Sequence, residues 1–395
     1  MIRTENYFGS ILNVLVLKSK RDSVLLLPES FDNYVGTIFR NRFRRKDGMK
    51  FNRQIMMVSF ISLLSCLSMN ANDNISQKNN SDGQTIVKHF GRLQVHGSTI
   101  VGQQGAPVAL HGMSLFWSEW GGEFYNGRCI RWLRDDWKCT VVRAVCGIRS
   151  DGYLGYPDTE RAKIERVIDA CIELGIYVIV DWHDHSAENH LQQSKIFFGT
   201  IAKKYGSVPN IIYEIYNEPL NVSWKDVVKP YAEEVVKIIR QYDPHNLIIA
   251  GTPHWSQDVD VAADQPIIDT NIAYAFHFYS SDRSHRQNFR DKVITALQKG
   301  VPIFVTEYGI SESNGNGSID TAETAKWFAF LDQNKLSTCN WSLIDKNETS
   351  AALIPGANPN GLWNNPDLTT SGKIIRDRIR TLNGPLFDIM NPSPK

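Results

Sequence analysis

The chain has 395 residues, enough for one large domain or two, and 42% of them are apolar, which can supply a full buried core. The aromatic fraction of 11%, with ten Trp, exceeds what packing usually needs and suggests surfaces on which a ligand stacks. A formal net charge of +1 gives no reason to expect nucleic acid or an acidic membrane surface as a partner. The six Cys include no CxxC pair, so neither a zinc knuckle nor a thioredoxin-like motif is available.

The first recognisable pattern is a secretory signal that starts inside the chain. The basic segment from Met49 to Arg53 precedes the apolar run from Ile55 to Leu67, and Met69-Asn70-Ala71 supplies a small-residue cleavage site. We therefore expect residues 49–71 to be a signal peptide, residues 1–48 to be a spurious N-terminal extension, and the mature protein to be secreted. An alternative takes Leu64-Ser65-Cys66 as a lipoprotein box, in which a lipid on Cys66 would anchor the protein to a membrane.

Residues 72–88 are polar and predict a flexible leader before an ordered domain at residues 89–384 and a C-terminal tail at 385–395. At the start of that domain, Leu93–Gly97 and Ser98–Val101 predict a small β-hairpin that closes the bottom of whatever follows.

From Val108 onward, short apolar strands alternate with amphipathic helical stretches, which predicts βα units and a parallel sheet. Helices are predicted over Thr159–Leu174, Trp224–Tyr242 and Thr321–Asn334. Eight strands in under 300 residues have the size of a TIM (β/α)8 barrel; a doubly wound open sheet is the alternative, but no GxGxxG follows the first strand. The strands are predicted at Val108–Ser114, Thr140–Cys146, Ile176–Trp182, Asn210–Tyr216, Asn246–Gly251, Ile272–Phe278, Pro302–Thr306 and Thr338–Leu343.

In a barrel the carboxyl ends of all strands meet at one mouth, and polar residues in this chain cluster at those ends. Glu218 and Glu307 each follow an apolar strand, which makes them a candidate catalytic pair. Arg143 lies inside a strand, where a buried charge is energetically unfavourable unless it pairs with a carboxylate. Arg143 is therefore expected to face Glu307. Other candidates at strand ends are His183, Asn217, His277, Tyr279 and Trp341.

Two carboxyls facing a sugar are the minimum for glycoside hydrolysis, because one must donate a proton and the other must attack or activate water. Arg143 would hold Glu307 ionised as the nucleophile, and Glu218, beside neutral Asn217 and near His277, is the better proton donor. The Trp341 ring would be a stacking platform for a pyranose.

These motifs in this order, Asp181-Trp182-His183, Asn217-Glu218-Pro219, His277-Phe278-Tyr279, the Glu307 strand and Asn340-Trp341-Ser342, resemble glycoside hydrolase family 5, specifically its bacterial-type and nematode-type cellulases. The resemblance runs from about Leu93 to Leu353. It implies a monomeric, retaining endo-β-1,4-glucanase on a TIM barrel that acts on cellulose without a cofactor.

Residue by residue, the resemblance implies that Glu218 is the acid/base, Glu307 the nucleophile, and Asn217 the partner of the sugar 2-hydroxyl. It places Arg143, His183, His277 and Tyr279 in the surrounding hydrogen-bonding shell, and Trp341 beside the cleavage point. Lys346 and Glu348 match polar groups of the glycone side. One departure is Ser114-Leu115-Phe116-Trp117, where many bacterial members have a His after the Ser, so Trp117 and Trp120 are possible substitutes.

Other functions stay open. Members of the same family also cut mannans and xyloglucan. A metal-dependent barrel of the amidohydrolase type could use His183, His185, His254, His277 and Asp345, although the two glutamates would then have no role. A sugar-binding protein without catalysis is a third possibility, against which the intact glutamate pair argues.

Overall fold

The computed structural model describes residues 84–390. The predicted N-terminal extension, signal peptide, lipoprotein box and most of the leader lie outside the described residues, as do residues 391–395. Eight parallel strands close into a barrel in the order β10-β3-β4-β5-β6-β7-β8-β9, which confirms the predicted TIM barrel. The barrel strands are β3 (His111–Leu115), β4 (Val141–Gly147), β5 (Tyr177–His183), β6 (Ile211–Glu214), β7 (Ile248–Ala250), β8 (Ile272–Tyr279), β9 (Ile303–Gly309) and β10 (Ser337–Leu343).

Helices lie between the strands. They are α1 (Ile86–Phe90), α2 (Gly127–Asp135), α3 (Pro157–Leu174), α4 (Leu191–Tyr205), α5 (Lys229–Arg240), the short α6 (Pro253–Ser256), α7 (Val259–Asp264), α8 (Gln287–Gln298), α9 (Thr321–Gln333) and α10 (Thr370–Met390). The predicted helix Trp224–Tyr242 is divided, because a π-helical turn at Trp224–Val228 precedes α5.

The barrel strands are buried on both faces, which explains their nearly continuous apolar sequences. The helix between β4 and β5 shows how the elements are delimited. Pro157 begins α3 at a position where its missing N–H costs nothing, and Gly175 ends it with a left-handed φ of 66° that a side chain would disfavour. Short connections of this kind return the chain to the next parallel strand.

The predicted hairpin is present. Strands β1 (Gln94–His96) and β2 (Thr99–Val101) pair antiparallel and lie at the N-terminal end of the barrel. The Nδ2 atom of Asn271, just before β8, donates to the carbonyl of Leu93 at 3.0 Å. This side-chain bond ties the hairpin region to the barrel floor.

Two predicted boundaries are wrong. Helix α1 begins inside the predicted leader and extends two residues past its predicted end; its Ile86 and Val87 are buried, and the backbone N–H of Val87 donates to the carbonyl of Gly175 at 3.0 Å. At the other end, α10 passes through Pro385 and continues to Met390, whose side chain is buried, so residues 385–390 belong to the last helix.

The predicted end of the strand before Glu218 is also wrong. Strand β6 ends at Glu214, so Asn217 and Glu218 lie in the loop that follows it. The register of the strands brings the polar residues of the site side by side. Glu214 pairs with Asp181 of β5, and His277 of β8 pairs with Glu307 of β9.

All five cysteines of the described region, Cys129, Cys139, Cys146, Cys171 and Cys339, are free and buried. Between residues 84 and 390, no helix has both the length and the apolar character that crossing a bilayer requires.

Candidate active site

The Arg143 guanidinium lies at the centre of the barrel mouth and is fully buried. Its Nη1 donates to Oε2 of Glu307 at 2.9 Å, which confirms the contact predicted from the sequence. Its Nε and Nη2 also bind both oxygens of Glu214, at 2.7 and 3.2 Å, and Nη2 lies 3.0 Å from Oδ2 of Asp181. The Arg143 side chain therefore forms ion pairs with three carboxylates. Two of them, Asp181 and Glu214, were not predicted as site residues.

Glu214 had a recognisable signal, because a carboxylate inside the apolar run Ile211–Tyr216 demands a buried partner. Burial raises the pKa of Glu214, but the charge of Arg143 and a bond to His277 more than offset that effect and lower it. Burial and the neighbouring Glu214 and Glu307 charges raise the pKa of Asp181 well above its usual value. The charge of Arg143 lowers this pKa but does not offset them.

Both oxygens of Glu307 accept a hydrogen bond. Arg143 binds Oε2, and the Tyr279 hydroxyl donates to Oε1 at 2.7 Å. Burial raises the pKa of Glu307; the charges of His277 and Arg143 lower it and that of Glu218 raises it, and the net direction is upward. Burial raises the pKa of Tyr279 well above its usual value, so its hydroxyl remains a donor.

Glu218 is held by two imidazoles. Nδ1 of His277 lies 2.9 Å from Oε1, and Nε2 of His185 lies 3.2 Å from Oε2. Burial raises the pKa of Glu218, but these two hydrogen bonds more than offset it and bring the pKa to about 2. Burial lowers the pKa of His277, whereas its bonds to Glu214 and Glu218 raise it, to about 9.

The sequence analysis expected His277 near Glu218, and the structure confirms this contact; the contact with His185 was not expected. Arg143 does not single out Glu307, because its charge is shared with Asp181 and Glu214. The role of Glu218 as proton donor stays a prediction, and the hydrogen bond that it shares with His277 is the source of a proton at this position.

Asn217 has one satisfied and one free polar atom. Its Oδ1 accepts from Nη2 of Arg143 at 2.6 Å, which fixes the orientation of the amide. Its Nδ2 is buried and has no hydrogen-bond partner among residues 84–390. A buried donor without a partner is costly, so this amide is prepared for an acceptor on a ligand.

The loop that carries Asn217 and Glu218 is tied to the turn after β7. His254, Trp255 and Ser256 have left-handed φ values of 54°, 56° and 55°, which are unfavourable for residues with side chains. The backbone N–H of Trp255 donates to the carbonyl of Pro219 at 2.8 Å, and Ser256 Oγ donates to the carbonyl of Asn217 at 2.6 Å. These bonds hold the half-exposed Trp255 ring beside Glu218.

A cavity of about 380 Å³ opens beside the two glutamates. Trp255 is part of its wall and was not predicted as a site residue, although an aromatic after a strand end in Gly251–Trp255 is a usable signal. The cavity is lined by Glu218, Trp255, Gln257, His277, Tyr279, Ser284, His285, Glu307 and Ser313.

His183 and Trp341 form a parallel stack on the other side of the mouth. Their ring centroids are 5.2 Å apart at an interplanar angle of 1°, and Nδ1 of His183 is 2.7 Å from Oδ2 of Asp181. Burial lowers the pKa of His183 well below its usual value, so the ring is neutral. Trp341 is 7% exposed, so it offers a ligand a small area of ring.

Lys346 and Glu348, for which a role on the glycone side stays a prediction, form an ion pair. Nζ of Lys346 is 2.6 Å from Oε2 of Glu348 and lies over the Phe116 ring at 5.3 Å from its centroid. Phe116 in turn contacts Trp341, with centroids 5.3 Å apart, which places this ion pair on the Trp341 side of the mouth.

Four of the residues suggested above as ligands of a metal site form hydrogen bonds or ion pairs with other groups of the protein. His183 binds Asp181, His185 binds Glu218, His254 binds Asp258, and Asp345 accepts from the backbone of Gly356. Within residues 84–390, the group of acidic and His ligands close enough to share a cation is Glu218, His277 and Glu307. His277 fits such a site poorly, because its raised pKa keeps it protonated and a metal needs a bare ring nitrogen.

Residues 101–347 match the family model described as cellulase (glycosyl hydrolase family 5). The chain is 47% identical over 281 residues to endoglucanase A of Evansella cellulosilytica, covering 70% of this chain and 57% of that protein. It is 45% identical over 293 residues to endoglucanase Z of Dickeya dadantii, covering 73% and 66%. The chain thus spans 57% and 66% of the length of these two relatives.

Solved structures are also similar to this chain. A structure from Cytophaga hutchinsonii superposes with a TM-score of 0.76 at 52% identity, covering 77% of this chain and 99% of that one. The catalytic domain of Thermobifida fusca endoglucanase Cel5A (E5) superposes with a TM-score of 0.71 at 33% identity, covering 75% and 99%. A variant of that domain has been solved with cellotetraose. With the family model covering more than half of its residues, this chain belongs to the cellulase family, glycosyl hydrolase family 5.

Proposed function

We propose that the protein is a secreted, retaining endo-β-1,4-glucanase that cuts internal bonds of cellulose with two glutamates. The observation that carries the proposal is the glutamate pair: a carboxylate oxygen of Glu218 and one of Glu307 lie within 4.8 Å of each other. Retaining enzymes hold their carboxyls about 5–5.5 Å apart, and inverting enzymes about 6.5–9.5 Å apart. The short separation supports direct attack by one carboxylate.

In the first half-reaction, a Glu307 oxygen attacks the anomeric carbon while the bond to the leaving oxygen breaks and Glu218 protonates that oxygen. Glu307 is suited to attack because Arg143 and Tyr279 stabilise it as a carboxylate without covering every lone pair. Glu218 draws its proton from the hydrogen bond that it shares with His277.

In the second half-reaction, Glu218 is a carboxylate again and removes a proton from water, which attacks the same carbon and releases Glu307. The unpartnered Nδ2 of Asn217 supplies a donor beside both glutamates, suited to a sugar hydroxyl. Hydrogen bonds to the sugar 2-hydroxyl that strengthen in the transition state contribute several kcal/mol in this class of reaction.

The substrate assignment is supported by relatives named endoglucanase and by a structural neighbour solved with cellotetraose. The test is hydrolysis of carboxymethyl cellulose, mannan, xylan and xyloglucan side by side, with Glu307→Gln as the inactive control. We expect a rapid fall in viscosity with carboxymethyl cellulose. Faster release of reducing ends from mannan or xyloglucan would reassign the substrate, and hydrolysis of none would reject the proposed function.

Export and a monomeric state belong to the same proposal. The charge and hydropathy order after Met49 supports cleavage near Asn72. N-terminal sequencing of secreted protein is expected to begin near Asn72; recovery of Met1 would contradict export, and a lipid-modified Cys66 would make the protein membrane-anchored. Light scattering after size exclusion tests the monomer.

A further inference from the structure

A tight turn after β3 forms one edge of the mouth. We call residues 117–121 the rim turn; it is closed by the backbone N–H groups of Trp120 and Gly121, which donate to the carbonyl of Trp117 at 3.1 and 2.8 Å. Opposite it is the loop after β4, residues 148–156, which we call the facing loop. The rim turn is joined to the end of β4, directly before the facing loop, at Ser118, whose Oγ accepts from the backbone N–H of Gly147 at 3.1 Å.

The Glu119 side chain points from the rim turn into the space against the facing loop. Both carboxyl oxygens are buried, and neither has a hydrogen-bond partner among residues 84–390. The carboxyl occupies the space that a side chain on Gly147 would need, since a Cβ there would lie 1.8 Å from Oε2. A Cβ on Gly152 would lie 3.4 Å from the carboxyl carbon. The two glycines therefore allow an enclosed carboxyl between the loops.

Between residues 84 and 390, no Lys or Arg forms an ion pair with this carboxyl. Lys163 of α3 binds Oε1 of Glu160 at 2.7 Å and the carbonyl of Ser118 at 2.8 Å. Burial is the largest effect and raises the pKa of Glu119 to about 7; the backbone N–H of Glu119 itself and Arg149 lower this pKa, and Glu160 and Asp151 raise it. The charged and titratable groups around Glu119 are Arg149 and Asp151 of the facing loop, Glu160 and Lys163 of α3, Cys146 of β4, and Tyr125.

The rim turn carries two aromatic rings of the mouth. The Trp117 ring meets the His183 ring edge-on, with centroids 4.2 Å apart, and lies 5.3 Å from the half-exposed Trp120 ring. The facing loop holds Trp120 from its own side, because Nε1 of Trp120 donates to Asp151 at 3.2 Å and the Arg149 guanidinium lies 5.0 Å from the ring centroid. The position of Trp120 thus depends on both loops remaining together.

We propose that Glu119 is a positioning residue for substrate binding, which holds Trp117 and Trp120 in place only while its carboxyl is protonated. Among residues 84–390, an ionised Glu119 would be a buried charge with no donor beyond its own backbone N–H, facing Asp151 and Glu160. This buried charge can be solvated or neutralised only if water or a cation enters between the rim turn and the facing loop. Such entry would separate Trp120 from Asp151. This inference rests on the proposed function, because it treats the rim as part of a glucan-binding surface.

The size of the effect follows from the population of the binding-competent form. Apparent affinity falls by the fraction of protein that is competent, and with a pKa of about 7 that fraction is roughly one tenth at pH 8. The KM for cellotetraose should therefore rise roughly tenfold between pH 6 and pH 8, whereas kcat follows the glutamate pair and His277.

The test compares full-length wild type, Glu119→Gln and Glu173→Gln on cellotetraose from pH 5 to pH 9. Gln has the shape of the protonated acid and cannot ionise, so Glu119→Gln should have a KM that is flat across this range. Glu173 lies on the exposed face of α3, so its variant matches the change in charge and should follow wild type. An equal rise of KM in wild type and Glu119→Gln would overturn the inference.

Thermal denaturation is a second measurement that needs no substrate. The folded-state pKa of Glu119 is raised from 4.5 to about 7, so the stability that its proton supplies is complete below pH 4.5 and is lost as the pH rises to 7. Glu119→Gln should therefore gain Tm over wild type between pH 4.5 and pH 7, and a constant difference would contradict the inference. Absence of hydrolysis by wild type on any β-glucan would instead reject the proposed function.

Discussion

The Nδ1 atom of His277 lies 2.9 Å from Oε1 of Glu218, and the opposite ring nitrogen, Nε2, lies 2.9 Å from Oγ1 of Thr306. The Thr306 hydroxyl donates its single proton to Oε1 of Glu214 at 2.6 Å, so its oxygen accepts from an N–H at Nε2. The proton at Nδ1 is then shared with Glu218 alone. Whether it resides on the imidazole or on the carboxyl, it lies in one hydrogen bond at the leaving-group position, so a Glu218 that is ionised at rest can still donate.

Replacement of His277 with Asn should move the alkaline limb of the kcat profile to lower pH. The pKa of His277 is about 9, so wild type keeps the shared proton until that pH, whereas Glu218 alone would lose it earlier. The kcat of wild type, His277→Asn and the surface control His96→Asn should be measured from pH 5 to pH 10. An unchanged alkaline limb in His277→Asn would refute a shared proton.

Replacement of Glu218 with Ala should lower kcat on cellulose by about 10²–10⁴-fold, the usual contribution of a general acid. An aryl cellobioside with a good leaving group needs little protonation, so it should still form the covalent intermediate in a rapid burst. Burst amplitude by stopped-flow absorbance is the measurement. A variant without a burst, although correctly folded by circular dichroism, would remove Glu218 from the acid role.

Replacement of Glu307 with Gly should abolish turnover and allow chemical rescue. Azide or formate fits the space of the missing carboxylate and can attack the anomeric carbon from the same side, giving a product with inverted configuration. Product analysis by NMR distinguishes this outcome. The Glu218→Ala variant is the matched control, because azide should there act on the covalent intermediate and give the opposite configuration.

The barrel and the glutamate pair were predictable because they depend on local patterns. An apolar strand that carries a carboxyl near its end can be recognised without knowing what lies opposite, although Glu307 lies within β9, which continues to Gly309 beyond the predicted end at Thr306. The roles of Glu214 and Asp181 were not, because their convergence on Arg143 depends on the β5–β6 register. The contact of His277 with Glu218 was expected, but that of His185 was not, because His185 lies beyond the end of β5 and meets Glu218 only in the folded chain.

Replacement of Arg143 with Lys should be strongly destabilising even though the charge is kept. The guanidinium binds Glu214 through Nε and Nη2, Asn217 also through Nη2, and Glu307 through Nη1, and an ammonium cannot satisfy these planar contacts together. Breaking a buried ion pair costs about 3–5 kcal/mol. Urea denaturation should show a loss of this size, against at most about 1 kcal/mol for the exposed pair in Arg131→Lys.

A chelator should leave activity unchanged, although Glu218, His277 and Glu307 are close enough to share a cation. The protonated His277 and the two donors on Glu307 favour hydrogen bonding over metal binding at these atoms. Initial rates on carboxymethyl cellulose after dialysis against EDTA, and after return of Mg²⁺, Mn²⁺ or Zn²⁺, measure this. A loss restored by one ion would favour a metal-assisted reaction.

The anomeric configuration of the first product decides between the two carboxylate mechanisms. Oxygens of Glu218 and Glu307 within 4.8 Å leave little space for a separate water between them, and Arg143 and Tyr279 fix Glu307 where it can attack carbon directly. Two successive inversions restore the original configuration, so the β-hemiacetal should appear first and mutarotate slowly to the α form. A proton NMR time course on cellopentaose, recorded within the first minutes, separates the two anomeric signals. Early appearance of the α-anomer would overturn the nucleophilic role of Glu307 and make it the base of an inverting reaction, even with the fold and the substrate unchanged.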